Sequence, residues 1–292
     1  MTILNVRHKT TYTYKQPVSF GDHRLMSRPR DSHDLRLIDT TLTITPPAST
    51  IRWLHDVFGN SIAIASFTES AAQLVFESAF RAEHYPVPPQ AIVVEPYAEK
   101  FPFSYSAEDA ADLGRTKERH YPDPEHKVDA WAKGVLEKTP DGKTLDVLMA
   151  MTTGIKEQFE YAARDAEGVQ TPVETLSLES GSCRDFAVFM MEAVRSLGLA
   201  ARFVSGYLYD EKLLGAAGGM VGGGATHAWL QVFLPGAGWV EYDPTNALAG
   251  GRNLIRVAVT SDASQAVPLS GSYQGPADAF ESMAVEVSVT TE

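Results

Sequence analysis

"SGSCRDFAVFMMEAVRSLGL", residues 180–199, carries the clearest helical pattern in the chain and its only cysteine. Ser182 followed by Asp185 three residues later fits a capping box, and Gly198 stands where a left-handed C-terminal cap is favoured. Between these ends, apolar residues recur with the spacing of an amphipathic helix (Phe186, Phe189, Met190, Ala193, Val194 and Leu197). The stretch therefore predicts a helix that begins at Cys183 and ends before Gly198.

Cys183 would occupy the first turn of that helix. The N–H groups of a first turn have no intrahelical acceptor, and the positive end of the helix dipole favours a thiolate over a thiol. The same N–H groups can donate to the oxygen of an acyl group bound to the sulfur. A free cysteine, however, is more commonly a small buried apolar side chain. Position alone leaves both a nucleophile and a structural thiol open.

A catalytic thiolate needs an imidazole to carry its proton and a third group to orient that imidazole. His227 is the only one of the eight histidines that follows Cys183, and it begins the apolar run "HAWLQVFL". "LPGAGW" (234–239) joins this run to "GWVEYDP" as the turn of an antiparallel hairpin would, and that pairing brings His227 beside Asp243. Asp243-Pro244 taken alone would also suit a strand-ending turn. The three residues together favour cysteine-dependent catalysis.

Residues 1–92 show the two-residue period of β-strands and no long helical period. The runs "TILNV", "KTTYTY", "LRLIDTTLTIT", "SIAIASFTES" and "AQLVFESAFRAEHY" are rich in Thr, Ile, Val, Tyr and Phe. Gly59-Asn60 in "DVFGN" (56–60) predicts a hairpin loop. A proline-rich junction follows over residues 84–105. We therefore predict a β-sandwich-like N-terminal domain over 1–92 and a catalytic domain over 93–292.

The second part of the chain places helices before strands. "KVDAWAKGVLEKT" (127–139) and "KTLDVLMAMTTGIKEQFEY" (143–161) predict helices, and residues 162–180 predict a loop. After the helix at Cys183, strands are predicted at 201–210, 226–234, 238–244, 253–259 and 284–291. Helices followed by a run of strands indicate an α+β fold, not an alternating one.

Composition argues against several classes of protein. A formal net charge of −12 over 292 residues argues against nucleic-acid binding. No apolar run is long enough for a signal peptide or a bilayer span, so we expect a cytoplasmic protein without membrane contact. One cysteine rules out an intramolecular disulfide and a cysteine-rich metal site, and the sequence holds no calcium-loop motif. We expect no metal and no cofactor.

Three segments carry motifs of a known family: "RHKTTYTYKQPVSFGDHRLMSRPR" (7–30), "GSCRDFAVFMMEAVRSLGLAARFVSGYL" (181–208) and "THAWLQVFLPGAGWVEYDPTN" (226–246). The last two resemble the core of the bacterial transglutaminase-like superfamily, and the first is similar to the β-rich region that precedes this core. The resemblance implies a papain/transglutaminase-like fold, in which a helix bearing the cysteine packs on an antiparallel sheet bearing the histidine and the aspartate.

The resemblance also implies roles for the three residues. In that family the cysteine of G-x-C-x-D-F is the nucleophile, the histidine of H-A-W is the base, and the aspartate of D-P-T-N is the orienting acid. These motifs fall on Cys183, His227 and Asp243. The implied reaction is acyl transfer from an amide through a thioester acyl-enzyme.

Several points are open at this level. We favour hydrolysis of a peptide or protein amide, as in a cysteine protease. Protein-glutamine transamidation, acyl transfer from coenzyme A, and a non-catalytic peptide-binding or assembly module are the alternatives. Further candidates for binding substrate or the oxyanion are Tyr161, Ser182 and Trp229. A protein partner would bind through the N-terminal β domain.

The sequence departs from the family pattern in two places. "SGSC" puts a polar residue before the nucleophile, where an apolar or aromatic residue is expected. "GAAGGMVGGGA" (215–225), just before His227, is rich in glycine but lacks the Lys-[Ser/Thr] ending of a phosphate-binding loop. This segment predicts either a flexible connector or a mobile flap over the cleft.

Overall fold

The chain is described by a computed structural model that covers residues 2–164, 167–209, 221 and 224–292. The N-terminal part contains the strands β1 (Thr2–Phe20), β2 (His23–Leu25), β3 (Leu35–Thr45), β4 (Thr50–His55), β5 (Ser61–Ser66) and β6 (Ser70–His84). The middle part contains α1 (Ala107–Leu113), α2 (Lys127–Lys138), α3 (Thr144–Gln158), β7 (Glu160–Tyr161), α4 (Pro172–Leu178), β8 (Ser180–Gly181) and α5 (Cys183–Ser196). The last part contains β9 (Ala201–Leu208), β10 (Thr226–Leu234), β11 (Gly238–Asp243), β12 (Leu248–Ala249), β13 (Leu254–Thr260), β14 (Leu269–Ser270), β15 (Tyr273–Gln274) and β16 (Phe280–Thr291).

Two sheets face each other in the N-terminal part. In one, β1 pairs with β6 on one side and with β15 and β16 on the other, and β3 pairs with β6; the other has the order β14-β2-β5-β4. Along β6 every second side chain from Leu74 to His84 is buried, because successive residues of a strand point to opposite faces. The two sheets share an apolar core (Tyr14, Val18, Phe20, Leu25, Ile44, Ala63, Ala65, Leu74, Phe76 and Ala279). The predicted β-sandwich is present.

The helix α5 is the centre of the second part. It begins at Cys183 and ends at Ser196, as predicted, and Gly198 follows with a φ of +84°. Its apolar stripe is buried against β9 and β10 on one side and against α2, α3 and α4 on the other. The sheet beneath it has the order β12-β11-β10-β9-β13, with every pair antiparallel. A helix bearing Cys183 thus packs on an antiparallel sheet bearing His227 and Asp243, as expected for an α+β core.

One local prediction is wrong. Residues 162–180 do not form one loop, because they contain α4. Its start is marked in the sequence by Pro172 in the first turn and by a capping box between Thr171 and Glu174. A helix of 7 residues has too few buried positions to produce an apolar period, which is why the pattern did not reveal it. The runs "TILNV" and "KTTYTY" are both β-strand, as predicted, and belong to one 19-residue strand, β1.

The C-terminal strand returns to the N-terminal sheet. β16 runs antiparallel to β1, from Leu4 opposite Thr291 to Tyr14 opposite Phe280. The predicted catalytic domain, 93–292, includes this strand, although its partner lies in the N-terminal sheet. Local sequence pattern identifies a strand but not its partner. The division at residue 92 stays a prediction. The strands β14, β15 and β16 follow residue 92 in the sequence but pair with β1 and β2, which precede it.

A buried histidine joins the N-terminal sheet to the core. His8 of β1 lies with Nδ1 2.9 Å from the hydroxyl of Tyr207 on β9, and with Nε2 3.2 Å from the hydroxyl of Thr10. The rings of His8 and Tyr207 lie where the N-terminal sheet contacts the core, and their planes are nearly perpendicular. Burial lowers the pKa of His8 to about 4. The neutral imidazole is therefore the form that the folded protein accommodates.

We expect acid to weaken the fold through His8. The unfolded chain binds a proton at His8 below about pH 6.5, whereas the folded chain does so only near pH 4. Stability is therefore fully present above 6.5 and falls as pH drops towards 4, by up to about 3 kcal/mol from this residue. In urea denaturation across this range, His8→Gln should flatten the dependence, whereas His33→Gln at an exposed position should not. Equal slopes in wild type and His8→Gln would contradict the prediction.

Candidate active site

Cys183 lies at the junction of a short strand and the long buried helix. It is the first residue of α5 and is 8% exposed. β8 pairs in parallel with β7 just before it, with Gly181 opposite Tyr161. A Cβ on Gly181 would lie 2.9 Å from the Cβ of Asp185, so this close approach requires glycine. The thiol is thus held at the positive end of the helix.

The carboxylate of Asp185 fixes that junction. It is fully buried and accepts the backbone N–H and the hydroxyl of Ser182, each at 2.8 Å. It also accepts the backbone N–H of Gln170 at 2.7 Å and Nη1 of Arg164 at 2.8 Å. A buried charge is tolerated when it is paired in this way. Asp185 therefore ties the start of α5 to the segment before it and sets the position of Cys183.

His227 and Asp243 meet across the predicted hairpin. β10 pairs with β11 so that Leu230 is opposite Tyr242 and Gln231 is opposite Glu241. One further step in this register places Trp229 opposite Asp243. His227, two residues before Trp229 on the same face, is then diagonally across from Asp243. Nε2 of His227 is 2.8 Å from Oδ2 of Asp243, and both side chains are almost fully buried. The hairpin prediction is confirmed.

Asp243 is held by donors on both of its oxygens. Oδ1 accepts the backbone N–H of Thr245 at 2.9 Å, and Oδ2 also accepts Nδ2 of Asn246 at 2.8 Å. Asn246 in turn exchanges two hydrogen bonds with the backbone of Val221, at 2.9 and 3.1 Å. Because an ionised carboxylate only accepts, Nε2 of His227 must carry a hydrogen.

The other ring nitrogen of His227 is unpaired. Among the described residues, Nδ1 has no hydrogen-bond partner. Burial disfavours the imidazolium, but the charge and hydrogen bond of Asp243 outweigh burial, and the neighbouring Cys183 adds to them, so the pKa of His227 is raised above its usual value. The imidazolium is thereby favoured at neutral pH.

The structure separates the three further candidates. Tyr161 on β7 is half-buried beside this junction; burial and the negative charges of Cys183 and Asp185 raise its pKa. Ser182 donates both its N–H and its hydroxyl to Asp185. Trp229 donates its indole N–H to Glu241 and is fully buried. Only Tyr161 of the three has its donor uncommitted among the described residues.

Trp229 occupies space that a glycine leaves open. Gly206 on β9 is opposite His227, and a Cβ there would lie 2.7 Å from Cη2 of Trp229 and 2.1 Å from the carbonyl oxygen of Ile255. The indole is stacked against the imidazole of His227, with centroids 5.9 Å apart and planes at 26°. The absence of a side chain at position 206 therefore permits the ring arrangement next to the site.

Gly206→Ala is expected to destabilise the protein by about 1–3 kcal/mol, because neither the backbone carbonyl nor the buried indole can move aside cheaply. Urea denaturation followed by circular dichroism measures the change. Gly134→Ala in α2 is the matched control, since its Cβ would meet nothing within 4 Å and alanine is the better helix former. A Gly206→Ala variant as stable as Gly134→Ala would contradict the packing argument.

Some of the predictions are not tested by the described residues. Among the helices of those residues, none is both long and apolar enough to cross a bilayer. In the same ranges, no three side chains of His, Cys, Asp or Glu gather as a metal ion would require. Residues 215–220 and 222–223 of the glycine-rich segment lie outside the described residues. A cytoplasmic location, the absence of metal and cofactor, and a flap over the cleft all stay predictions.

Two family profiles match parts of this chain. The profile of the transglutaminase-like superfamily matches residues 129–244, a range that contains Cys183, His227 and Asp243. The profile of the bacterial transglutaminase-like N-terminal region matches residues 4–83. Residues 129–244 belong to the transglutaminase-like superfamily. The resemblance seen in the sequence motifs is thus confirmed.

Relatives of this chain differ in how much of it they match. An uncharacterised protein of Mycobacterium tuberculosis strain H37Rv is 29% identical over 283 residues, which is 91% of this chain and 86% of the relative. A protein-glutamine gamma-glutamyltransferase of Pseudomonas aeruginosa is 34% identical over 99 residues, which is 32% of this chain and 14% of that enzyme. A crystal structure of a proposed cysteine protease from Cytophaga hutchinsonii superposes with a TM-score of 0.70 at 18% identity, over 99% of this chain and 90% of that one. The last comparison confirms the α+β fold.

Sequence reasoning missed two residues that support the site, Asn246 and Glu241, and it identified Asp185 only as the capping-box partner of Ser182. Asn246 lies in the D-P-T-N motif, so the family motif marked it without giving it a role. Glu241 precedes Asp243 by two residues on the same strand, and Trp229 follows His227 by two. The two-residue period of a strand places each pair on one face, which was the available signal.

Proposed function

We propose that this protein is a cysteine-dependent acyl-transfer enzyme acting on amide bonds. The observation that carries the proposal is the orientation of His227. Asp243 holds Nε2, which leaves Nδ1 for the thiol at the N-terminus of α5. Membership of the transglutaminase-like superfamily and the match over all three residues support the same reaction class.

The proposed chemistry uses only side chains of this site. The sulfur of Cys183 attacks the carbonyl carbon of an amide, and a C–S bond forms as the C–N bond breaks. Nδ1 of His227 gives its proton to the leaving amine, and Asp243 stabilises the imidazolium before that step. N–H groups of the first turn of α5 stabilise the oxyanion. Water then attacks the thioester and gives its proton to Nδ1, which releases the acid and restores the thiolate–imidazolium pair.

Water is the acceptor we favour, so the proposed activity is hydrolysis of a peptide or protein amide. Transamidation differs only in the acceptor, because a primary amine would resolve the same thioester. The Pseudomonas relative that matches about a third of this chain is named a protein-glutamine gamma-glutamyltransferase. Transamidation is therefore the second candidate. A glutamine-containing peptide incubated with and without monodansylcadaverine separates the two. Incorporation of the amine would favour transamidation, and release of ammonia or of a peptide fragment alone would favour hydrolysis.

The proposal is tested by the reactivity of Cys183 towards iodoacetamide between about pH 5 and pH 9. As the chain has one cysteine, every alkylated molecule is modified at the same sulfur. We expect fast alkylation of the native wild type near neutral pH, and a rate at least about 10-fold lower in His227→Ala. The matched control is His120→Ala, because Nδ1 of His120 lies 3.4 Å from a carboxylate oxygen of Asp262, in another His–Asp pair.

Two results would overturn the proposal. One is an alkylation rate that is the same in wild type, His227→Ala and His120→Ala. The other is a thiol that reacts only after unfolding in urea, which would favour a non-catalytic peptide-binding module. In urea, all three proteins should react at one rate, because the imidazole no longer lies beside the sulfur.

A further inference from the structure

Polar side chains form a continuous line from His227 to the N-terminal region. Nε1 of Trp229 donates to the carboxylate of Glu241, and Nη1 of Arg256 donates to the same group at 2.7 Å. Nη2 of Arg256 lies 3.1 Å from both carboxylate oxygens of Asp34. We call these four residues, Asp34, Arg256, Glu241 and Trp229, the relay. It joins residues that are 222 positions apart in the chain.

The end of the relay at Trp229 contacts the imidazole of His227. The two rings are stacked, and the indole cannot rotate without breaking its hydrogen bond to Glu241. Both residues follow one diagonal, since His227 reaches Asp243 and Trp229 reaches Glu241 from β10 to β11. The position of Glu241 therefore sets the surface against which the imidazole lies.

The other end of the relay belongs to the N-terminal region. Asp34 directly precedes β3, and Arg256 on β13 reaches Glu241 across the face of the sheet. The side chains of Asp34 and Arg256 are about three-quarters buried, and that of Glu241 is 8% exposed. Without the charge of Asp34, Arg256 keeps Glu241 as its ion-pair partner among the described residues, so the guanidinium is expected to shift towards Glu241. A change at Asp34 would thus reach Glu241 through Arg256.

We infer that the N-terminal region positions the proposed catalytic base: Asp34, through Arg256 and Glu241, holds the Trp229 indole against which His227 lies. This inference rests on the proposed function, because His227 matters in this way only if it serves Cys183. The four residues act through His227 and are positioning residues. The N-terminal region thereby has a role at a site formed by the other part of the chain.

The experiment compares Asp34→Asn and Arg256→Gln with Glu83→Gln in the full chain. Glu83 is a matched control, because its carboxylate pairs with Arg36 on the surface of the same N-terminal sheet at 3.4 Å. The readouts are the iodoacetamide alkylation rate of Cys183 across pH and the thermal midpoint. Asp34→Asn should lower the native rate near neutral pH by about 2-fold to 30-fold, and Arg256→Gln should lower it more. Glu83→Gln should match wild type.

A double-mutant cycle tests whether the relay is one path. Trp229→Phe keeps an aromatic ring beside His227 and removes the donor to Glu241. If the relay is continuous, adding Asp34→Asn to Trp229→Phe should lower the rate little further. Multiplicative effects would overturn the inference.

The outcomes also separate the relay from the proposed function. If His227→Ala slows alkylation while Asp34→Asn behaves as Glu83→Gln does, the relay is overturned and the proposed function stands. If His227→Ala has no effect, both are overturned. If Asp34→Asn lowers the thermal midpoint but leaves the native alkylation profile unchanged, the ion pair serves stability alone and the inference is overturned. Should Arg256→Gln not fold, Asp34→Asn carries the comparison.

Discussion

Cys183→Ser is expected to lose at least about 10⁴-fold in kcat/KM on any amide that the wild type cleaves. A hydroxyl gives up its proton far less readily than a thiol, so the serine would not form the anion that pairs with the imidazolium of His227. The side chains of serine and cysteine are close in size. Cys183 is the first residue of α5, and Asp185 fixes the start of that helix through Ser182. The fold should therefore be retained.

The measurement is steady-state cleavage of a peptide amide, together with mass spectrometry of the enzyme during turnover. An acyl group should accumulate on wild-type Cys183 if the thioester breaks down slowly, and no such adduct should form on the variant. Ser196→Ala is the control on the same helix, since that hydroxyl donates to the carbonyl of Ala193 at the far end of α5. Full activity in a folded Cys183→Ser protein would refute the proposed mechanism.

Asp243→Asn is expected to reduce kcat by about 10³-fold to 10⁴-fold, with a smaller change in KM. The NH₂ group of the asparagine must replace one carboxylate oxygen. In place of Oδ1 it would face the N–H of Thr245, and in place of Oδ2 it would face the amide of Asn246, so a donor meets a donor either way. In the second orientation it also donates to Nε2 of His227. The ring hydrogen then moves to Nδ1, which can no longer accept the proton of Cys183.

The same variant should be less stable by about 1–3 kcal/mol, because a buried donor is left without an acceptor. The matched control is Asp262→Asn, which removes the negative charge from another His–Asp pair, that of His120 with Asp262. Asp262→Asn should keep most of the activity. If both substitutions reduce kcat equally, the effect is not specific to the orientation of His227.

The sequence was sufficient for the parts of the fold that have a local period. The apolar stripe of α5, the glycine after it and the turn between β10 and β11 each follow from neighbouring residues, so they could be predicted. The hydrogen bond between His227 and Asp243 followed from the hairpin alone. The roles of the three site residues needed the family motifs in addition.

The remainder depends on contacts between distant segments. Pairing of β16 with β1 leaves no mark in either strand, because a strand pattern fits many partners. Asp34 and Arg256 are residue types that are usually exposed. Here both are about three-quarters buried, because the N-terminal part of the chain packs against the core at this ion pair. Gln170 and Arg164 support Asp185 from a segment with no periodic pattern.

The strand pairing of β1 with β16 has a consequence for synthesis on the ribosome. Leu4 cannot pair with Thr291 until the ribosome has synthesised β16, so that edge of the first sheet stays unpaired until then. At translation rates of about 5–20 residues per second, the interval is on the order of tens of seconds. During that time β1 presents a free edge of backbone donors and acceptors, which is the kind of edge that nascent chains use for wrong pairing. Completion of the N-terminal sandwich is thus a late event in folding, although its first strand is made first.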